Sequence, residues 1–439
     1  MKPGARIAAA IEILDLIDLP DAIPADKVLA DWNRKNRFAG SKDRNAIAEM
    51  VYGVLRRRAQ LDWWLQRCDG DLDNRARLLV WLQAINGLAL EDLALSCDGS
   101  QYAPAPLSSR EERVAIEMQG QQIDSGCQPV SAKGNFPDWM ENRFVELYGA
   151  KVDKYLAAMT EEAPVDLRVN TLKGTRSDAM KALAEEGIET TPSRFSPVGL
   201  RLPKRMPLSG TKAFRDGLIE VQDEGSQLAA LLADARAGHK VVDFCAGAGG
   251  KSLAMAATMK NTGRIVACDV SEARLKRAAQ RLKRAGAFMV ERRPLTSERD
   301  KWIKRRAARF GGGFDRVLVD APCTGTGTWR RNPDQKWRLK GQDIEELTAL
   351  QASILDSASR LVGAGGRLIY ATCSILNEEN DAQIERFLAE NPSFFLHPIK
   401  QIWQEIFPSP CPTDGDTLRL NPLDHGTDGF FVAVLERKL

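Results

Sequence analysis

The sequence predicts an α/β protein whose larger part is a doubly wound, Rossmann-like sheet, preceded by an all-α bundle and a small α+β segment. Three observations lead there. From about residue 217 short apolar strands alternate with helices, which implies a parallel sheet with ligands bound outside the carboxyl ends of its strands. The first of those strands runs into a glycine-rich turn, "VVDFCAGAGGKSLAMAA". Before them, residues 5 to about 100 carry helical periodicity and few strand signals.

The elements follow in order. At 439 residues the chain is too long for one ordinary core, so two or three domains are expected. Ile7, Ile11, Leu14 and Ile17 recur at three- and four-residue steps, and "RNAIAEMVYGVLRRRAQLDWWLQ" repeats that pattern, so residues 1–130 read as a helical domain. The weakly periodic "SCDGSQYAPAPLSS" (96–109) reads as a connection within it. Residues 136–215 mix helices with short strands such as "DLRVNTL" and "GLRLP". The third domain, 216–439, supplies the strands "KVVDFC", "GRIVACD", "AFMVERR", "FDRVLVDAP", "GRLIYATCS" and "GFFVAVLER". No internal repeat is found.

Composition excludes several classes. Eight cysteines without a CxxC pair or a paired Cys/His spacing argue against a disulfide framework or a zinc site, and three histidines (His239, His397, His425) against a histidine-centred metal or catalytic site; no metal is expected. The first twenty residues read as an amphipathic helix rather than a signal peptide, and no run of 18 apolar residues occurs, so a soluble, monomeric, cytoplasmic protein with no membrane partner is expected. The net charge of +3 is only mildly basic, but basic residues cluster in "RRR" (56–58), "RLKRAAQRLKR" (274–284), "KRRAAR" (304–309) and "WRRN" (329–332). Each cluster taken singly reads as the solvated face of a helix.

The glycine loop fails two nucleotide patterns by one residue each. The dinucleotide pattern needs glycine where Ser252 stands, and the Walker pattern needs it where Cys245 stands. The second strand ends at Asp269, 20 residues beyond Gly249, the usual place for a carboxylate that accepts hydrogen bonds from two ribose hydroxyls. Adenosine without a phosphate cradle remains, with S-adenosylmethionine the common ligand of that kind, beside a purely structural glycine turn. On the first reading the cofactor meets the stretch Cys245, Ala246, Gly247, Ala248, Gly249, Gly250 and Lys251, together with Asp269 and Asp320.

Two cysteines raise the chemistry. Cys323 follows the fourth strand and Cys373 the fifth, and such strands are neighbours roughly 4.8 Å apart, which would set both thiols on one rim above the cofactor. Methylation at carbon 5 of cytosine wants such a pair: a thiolate adding at C6 makes C5 electron-rich, and a second group helps to resolve the adduct. Asp320 is placed to hydrogen-bond or protonate the base at N3, and Pro322 stiffens the turn. A single strand-end cysteine is usually a small buried apolar group, the reading given to Cys245 and Cys268; two on adjacent strand ends are not.

At this point the chain resembles the Sun (Fmu/RsmB-like) family of RNA 5-methylcytosine methyltransferases over about residues 136–439. The motifs are "RVNTLKG" (168–174), "VQDEGSQLAALLA" (221–233), "DFCAGAGGKS" (243–252), "DAPCTGTGTWRRNP" (320–333) and "YATCSILNEEN" (370–380). The resemblance implies an S-adenosylmethionine-dependent methyltransferase domain in which Cys373 is the nucleophile, Cys323 assists breakdown of the covalent intermediate, Lys251 lies near the target base and the main chain of "CAGAGGK" surrounds the cofactor. It further implies that the N-terminal bundle is a NusB-like RNA-binding domain, with "KDRNAIAEMVYGVLRRR" (42–58) its best segment, and so favours small-subunit rRNA as substrate over tRNA, or over an inactive ribosome assembly factor. Two departures stand out. Ala248 replaces the usual proline, and "ERRPLTSERD" lacks the acid expected after the third strand, leaving Thr296, Ser297 or Asp300 for the adenine side. A cytosine within a helix cannot present C6 to a thiol, so the target is unpaired or flipped out. Arg330 and Arg331, beside Trp329, and Arg56 and Arg57 in the bundle are the expected RNA contacts.

Overall fold

The computed structural model describes residues 1–310 and 313–439. They form two compact units: residues 1–162 with 329–339, and residues 163–328 with 340–439.

The first unit is helical, led by Pro3–Ile17, Ala25–Lys35, Ser41–Arg67 and Asn74–Ala84. The long third helix forms because its apolar residues fall every three or four positions, and Ile47, Val51, Val54, Leu61 and Leu65 are buried on that stripe against Ile7, Ile13 and Leu14 of the first helix. Asp73 caps the fourth helix by accepting the Ala76 N–H at 2.7 Å. The segment 329–339, which in sequence continues the "DAPC" motif, belongs to this unit. Its Trp337 Nε1 donates to the Leu55 carbonyl at 2.7 Å, its buried Lys336 Nζ to the Arg56 carbonyl at 3.1 Å, and its Asp334 accepts the Ala25 N–H at 3.1 Å. Residues 136–162 also lie with the helices rather than with the small sheet. The reason is packing: Phe136 and Phe144 are buried with their rings 4.6 Å apart and tilted at 45°, and Trp329 lies 5.8 Å from Phe144.

The second unit holds two sheets. The small one is antiparallel, in the order β2-β3-β1-β4, with β1 Asp166–Val169, β2 Thr191–Pro192, β3 Gly199–Arg201 and β4 Ile219–Val221. Leu167, Leu200 and Ile219 fill its core with Ala179 and Leu183. The large sheet contains β5 Lys240–Asp243, β6 Arg264–Asp269, β7 Val290–Pro294, β8 Phe314–Asp320, β9 Val362–Thr372, β10 Phe394–Leu396, β11 Leu418–Leu420 and β12 Phe430–Arg437. Its order is β10-β12-β9-β8-β5-β6-β7, with β11 also on β12.

Strands β5 to β9 are parallel, whereas β12 runs antiparallel to β9. The alternation of strand and helix predicts the parallel part. The last strand, "GFFVAVLER", departs from the parallel sheet that the alternation implies, because a strand that returns antiparallel needs no crossover helix. Because the chain winds outward from β5 through β6 to β7 and then returns to β8 and β9, the order reverses between β5 and β8, and a crevice opens there at the carboxyl ends. Among the described residues no helix is long and apolar enough to cross a membrane.

The residue just before β12 is tied directly to the turn after β8. The Gly429 N–H donates to the Gly327 carbonyl at 2.9 Å, and a Cβ built on Gly327 would meet the Gly429 carbonyl oxygen at 2.2 Å. Gly327→Ala is therefore expected to cost about 3 kcal/mol through forced separation of two backbones, read as a lowered Tm; an unchanged Tm would mean that the two loops part freely.

Candidate active site

At the carboxyl end of β5 the chain makes the turn that glycine permits. Gly247 and Gly249 have φ of +55° and +79°, and Gly249 caps the helix Gly250–Thr258. The loop is held from several sides. Asp269, at the end of β6, accepts the Gly247 N–H on Oδ2 at 2.8 Å and the Ser271 N–H on Oδ1 at 2.7 Å, so each oxygen keeps acceptor capacity. Asp243 accepts the Ser252 hydroxyl at 2.6 Å. It is fully buried, its Oδ1 has no partner, and burial pushes its pKa up to about 7.

Two arginines grip the loop's carbonyls. Arg281 donates to Ala248 O at 2.9 Å while paired with Glu220 at 3.1 Å, and the buried Arg168 donates to Gly250 O at 2.7 Å. Glu220 and Arg168 come from β4 and β1, so the small sheet supports the glycine loop. The sequence reading missed both arginines in this role. Arg168 lies inside "RVNTLKG", whereas Arg281 stands in a basic run that reads as a solvated helix face, and only its inward turn distinguishes it.

The two cysteines come together. Asp320 on β8 pairs in register with Ala371 on β9, the Ala321 N–H donates to the Ala371 carbonyl at 2.9 Å, and two residues further on each strand the Sγ atoms of Cys323 and Cys373 lie 3.4 Å apart. Both thiols are half-buried. The Cys323 thiol is pushed well above the usual range, first by its hydrogen bond with Cys373 and then by burial. Burial likewise raises Cys245 and Cys268, which pack beneath the loop and in the sheet core.

A buried carboxylate clamps the two cysteine turns. Glu379 accepts the Thr324 N–H at 2.9 Å and the Gln351 amide at 2.9 Å on Oε1, and the Thr324 hydroxyl at 2.5 Å on Oε2. Gln351 also donates to the Pro322 carbonyl at 2.9 Å, and the Gly327 N–H to the Cys373 carbonyl at 2.9 Å. Asn380 accepts the Thr372 hydroxyl at 2.6 Å and donates to the Ser374 carbonyl at 2.9 Å. Glu379 and Asn380 close the "YATCSILNEEN" motif. Their acidic and amide character signals surface residues in a sequence, yet they are 0% and 1% exposed.

Lys251, at the start of the helix after the glycine loop, pairs with Asp320 at 2.7 Å and lies 5.4 Å from the centre of the Phe430 ring. The lysine is buried and the carboxylate is about one-third exposed, so Asp320 is the member facing the crevice. Asp300, after β7, accepts the Thr296 N–H (2.9 Å) and hydroxyl (2.8 Å), and such bonds hold its carboxyl below the usual range.

The expected RNA-contacting arginines fall in the helical unit. Arg330 is only 5% exposed, and Arg56 donates to the carbonyls of Arg330 (2.8 Å) and Glu161 (3.2 Å). That employment corrects the reading of Arg56 and Arg330 as exposed phosphate ligands: both are spent on packing. Arg57 bonds Gln60 at 2.9 Å and lies 3.4 Å from Asp124, and Arg331 is half-buried. No cluster of three or more potential metal ligands occurs among the described residues.

Residues 230–436 match the family of 16S rRNA methyltransferases RsmB/F, and residues 136–209 the ferredoxin-like domain of such methyltransferases. The chain is 30% identical to ribosomal RNA small subunit methyltransferase B of Citrobacter koseri over 100% of both chains. To its counterpart in Pectobacterium carotovorum it is also 30% identical, over 91% of this chain and 92% of that one. The crystal structure of a methyltransferase homolog protein from Pyrococcus horikoshii is similar with a TM-score of 0.59 and 28% identity, covering 71% of this chain and 98% of that one.

The buried Asp243 yields a test by pH. Its native pKa near 7 exceeds the ordinary 3.8, so folding favours the protonated form, and its contribution to stability is full below pH 3.8 and lost as pH rises to about 7. Asp243→Asn carries no such proton. The Tm of wild type minus that of the variant is expected to fall across pH 4 to 7 by the equivalent of a few kcal/mol, and a constant difference would show that Asp243 does not titrate late.

Proposed function

The chain belongs to the RsmB/F family of 16S rRNA methyltransferases, and from that premise we propose that this rRNA methyltransferase moves the methyl group of S-adenosylmethionine to carbon 5 of a cytosine in 16S rRNA, through an adduct between Cys373 and C6. One observation carries the reading: two thiols 3.4 Å apart at the carboxyl ends of adjacent parallel strands, beside the Lys251–Asp320 pair. Methylation of an exocyclic amine uses a nitrogen lone pair and has no need of a thiol.

The cofactor would be held by the main chain of Cys245 to Gly250 and by Asp269. The fit is supported by the acceptor capacity left on Asp269 and by Gly247, where a Cβ would project into open space with no atom within 4 Å. When bound, S-adenosylmethionine supplies an electrophilic methyl group.

The rest is done by the chain's own groups. The bond between the two thiols, and then burial, push the Cys323 thiol well up, which suits Cys323 to the part of proton donor in the pair and leaves the nucleophile's part to Cys373. Formation of the Cys373 sulfur–C6 bond pushes the electron pair of the C5–C6 double bond towards C5 and increases electron density on N3. The Lys251–Asp320 pair holds a proton that can be shared with N3 as that density builds. C5 then bonds the methyl carbon as the methyl–sulfonium bond breaks; in the last step the C5 proton passes to solvent, the double bond re-forms and the sulfur–C6 bond breaks to return Cys373 as thiolate, with Cys323 positioned to donate a hydrogen bond to the departing sulfur. The helical unit serves, on this reading, as a NusB-like RNA-binding domain.

A denaturing gel with 16S rRNA transcript and S-adenosylmethionine tests the roles. Cys323→Ala is expected to accumulate a protein–RNA band that Cys373→Ala cannot form. The reverse pattern would exchange the two roles, and no band with any variant would overturn the covalent route.

A further inference from the structure

Charge is distributed very unevenly along this chain. Residues 272–306 contain 13 of its 62 lysines and arginines but four of its 59 acids, so this stretch is strongly positive while the remainder is net negative. In the structure it forms the outer margin of the large sheet: the helix Glu272–Ala285, the edge strand β7, and the start of the helix Lys301–Phe310.

The two helices pack on opposite faces of the sheet and meet around its edge at β7. Arg292 of β7 reaches the Leu275 carbonyl on the first helix at 3.4 Å. On the other side, Arg293 of β7 and Arg306 of the second helix lie 5.2 Å and 5.8 Å from the same Trp302 ring. Ile303 and Leu295 anchor this side in the sheet core.

Outward from that frame, Arg274, Arg277, Lys283, Lys304 and Arg305 are exposed and make no ion pair among the described residues. Solvated helix faces ordinarily mix both signs and pair them four residues apart; here Glu272 with Lys276 at 3.1 Å is the single such pair on the first helix. Guarding an edge strand against aggregation requires charge on the strand itself and leaves the helices on either side unexplained. So dense a positive margin repels itself and is compensated when a polyanion binds.

We propose that this margin is a phosphate-binding face that holds the backbone of the rRNA substrate while the target base enters the crevice. The proposal rests on the rRNA methyltransferase reading. Its placement suits that use, since β7 lies three strands from β8, roughly 14 Å from the thiol rim.

The test uses the full chain and protein-free 16S rRNA transcript, with binding followed across a salt series and methyl transfer measured at saturating RNA. The variant combines Arg274→Gln, Arg277→Gln, Lys304→Gln and Arg305→Gln, and the control combines Lys240→Gln and Lys260→Gln, exposed lysines near the amino ends of β5 and β6, away from the crevice. The slope of log affinity against log salt is expected to become shallower by about 3 in the fourfold variant, with affinity at 0.1 M salt lower by at least about tenfold. Methyl transfer at saturating RNA is expected to stay within about twofold of wild type, because such contacts act on binding rather than on the chemical step. An unchanged slope in the fourfold variant, or an equal loss in the control, overturns the proposal. A wild type that binds through this face but methylates no RNA would instead overturn the enzymatic reading and leave the face standing.

Discussion

The site depends on the parallel pairing of β8 with β9. In-register neighbours carry their following residues out of the sheet side by side, which is why Cys323 and Cys373, 50 positions apart in the chain, finish 3.4 Å apart. Pairing alone would leave two loose turns. Glu379, buried between them, accepts three hydrogen bonds and so converts the two turns into one rigid rim. A buried carboxylate is costly unless its lone pairs are filled, and that cost works against any conformation in which the turns separate.

The glycine loop solves a related problem by different means. A loop built from glycine has little side-chain packing to hold it, so its shape is imposed from outside, by Asp269 on its amide hydrogens and by Arg168 and Arg281 on its carbonyl oxygens. The small sheet owes its place in the second unit to this support, because β1 and β4 supply Arg168 and Glu220, and Glu220 in turn aims Arg281. Around the loop the structure tolerates buried charge where each is answered: Lys251 by Asp320, Glu220 by two arginines. Asp243 is the exception. One of its oxygens has no partner, and burial raises its pKa to about 7.

Positive charge divides by position into two kinds. Arg330 and Lys336 are buried, Arg56 is half-buried, and the Arg56 and Lys336 donors satisfy carbonyl oxygens in the helical unit. Those along the outer margin of the large sheet remain exposed. In the sequence the two kinds look alike as short basic runs, and the order of the runs gives no clue, since the one next to the reactive turn is the enclosed one.

Much of the fold was legible in the sequence. The period of the apolar residues identified the helical unit and five parallel strands, because helices and strands bury one face at fixed spacings that local order alone determines. The parts that the structure brings together at the candidate site were legible too: the glycine turn, Asp269, Lys251, Asp320 and both cysteines all lie at or just past strand ends or at helix starts, where a linear motif stays local in space. Other features were decided only in three dimensions. The antiparallel course of β12, the return of residues 329–339 to the helical unit, the burial of Glu379 and the inward turn of Arg281 each depend on a partner far away in the chain. Side-chain identity states what a residue can do, whereas burial and pairing state which of those things it does, and for Arg330 and Glu379 only the tertiary structure brings the partners that decide it.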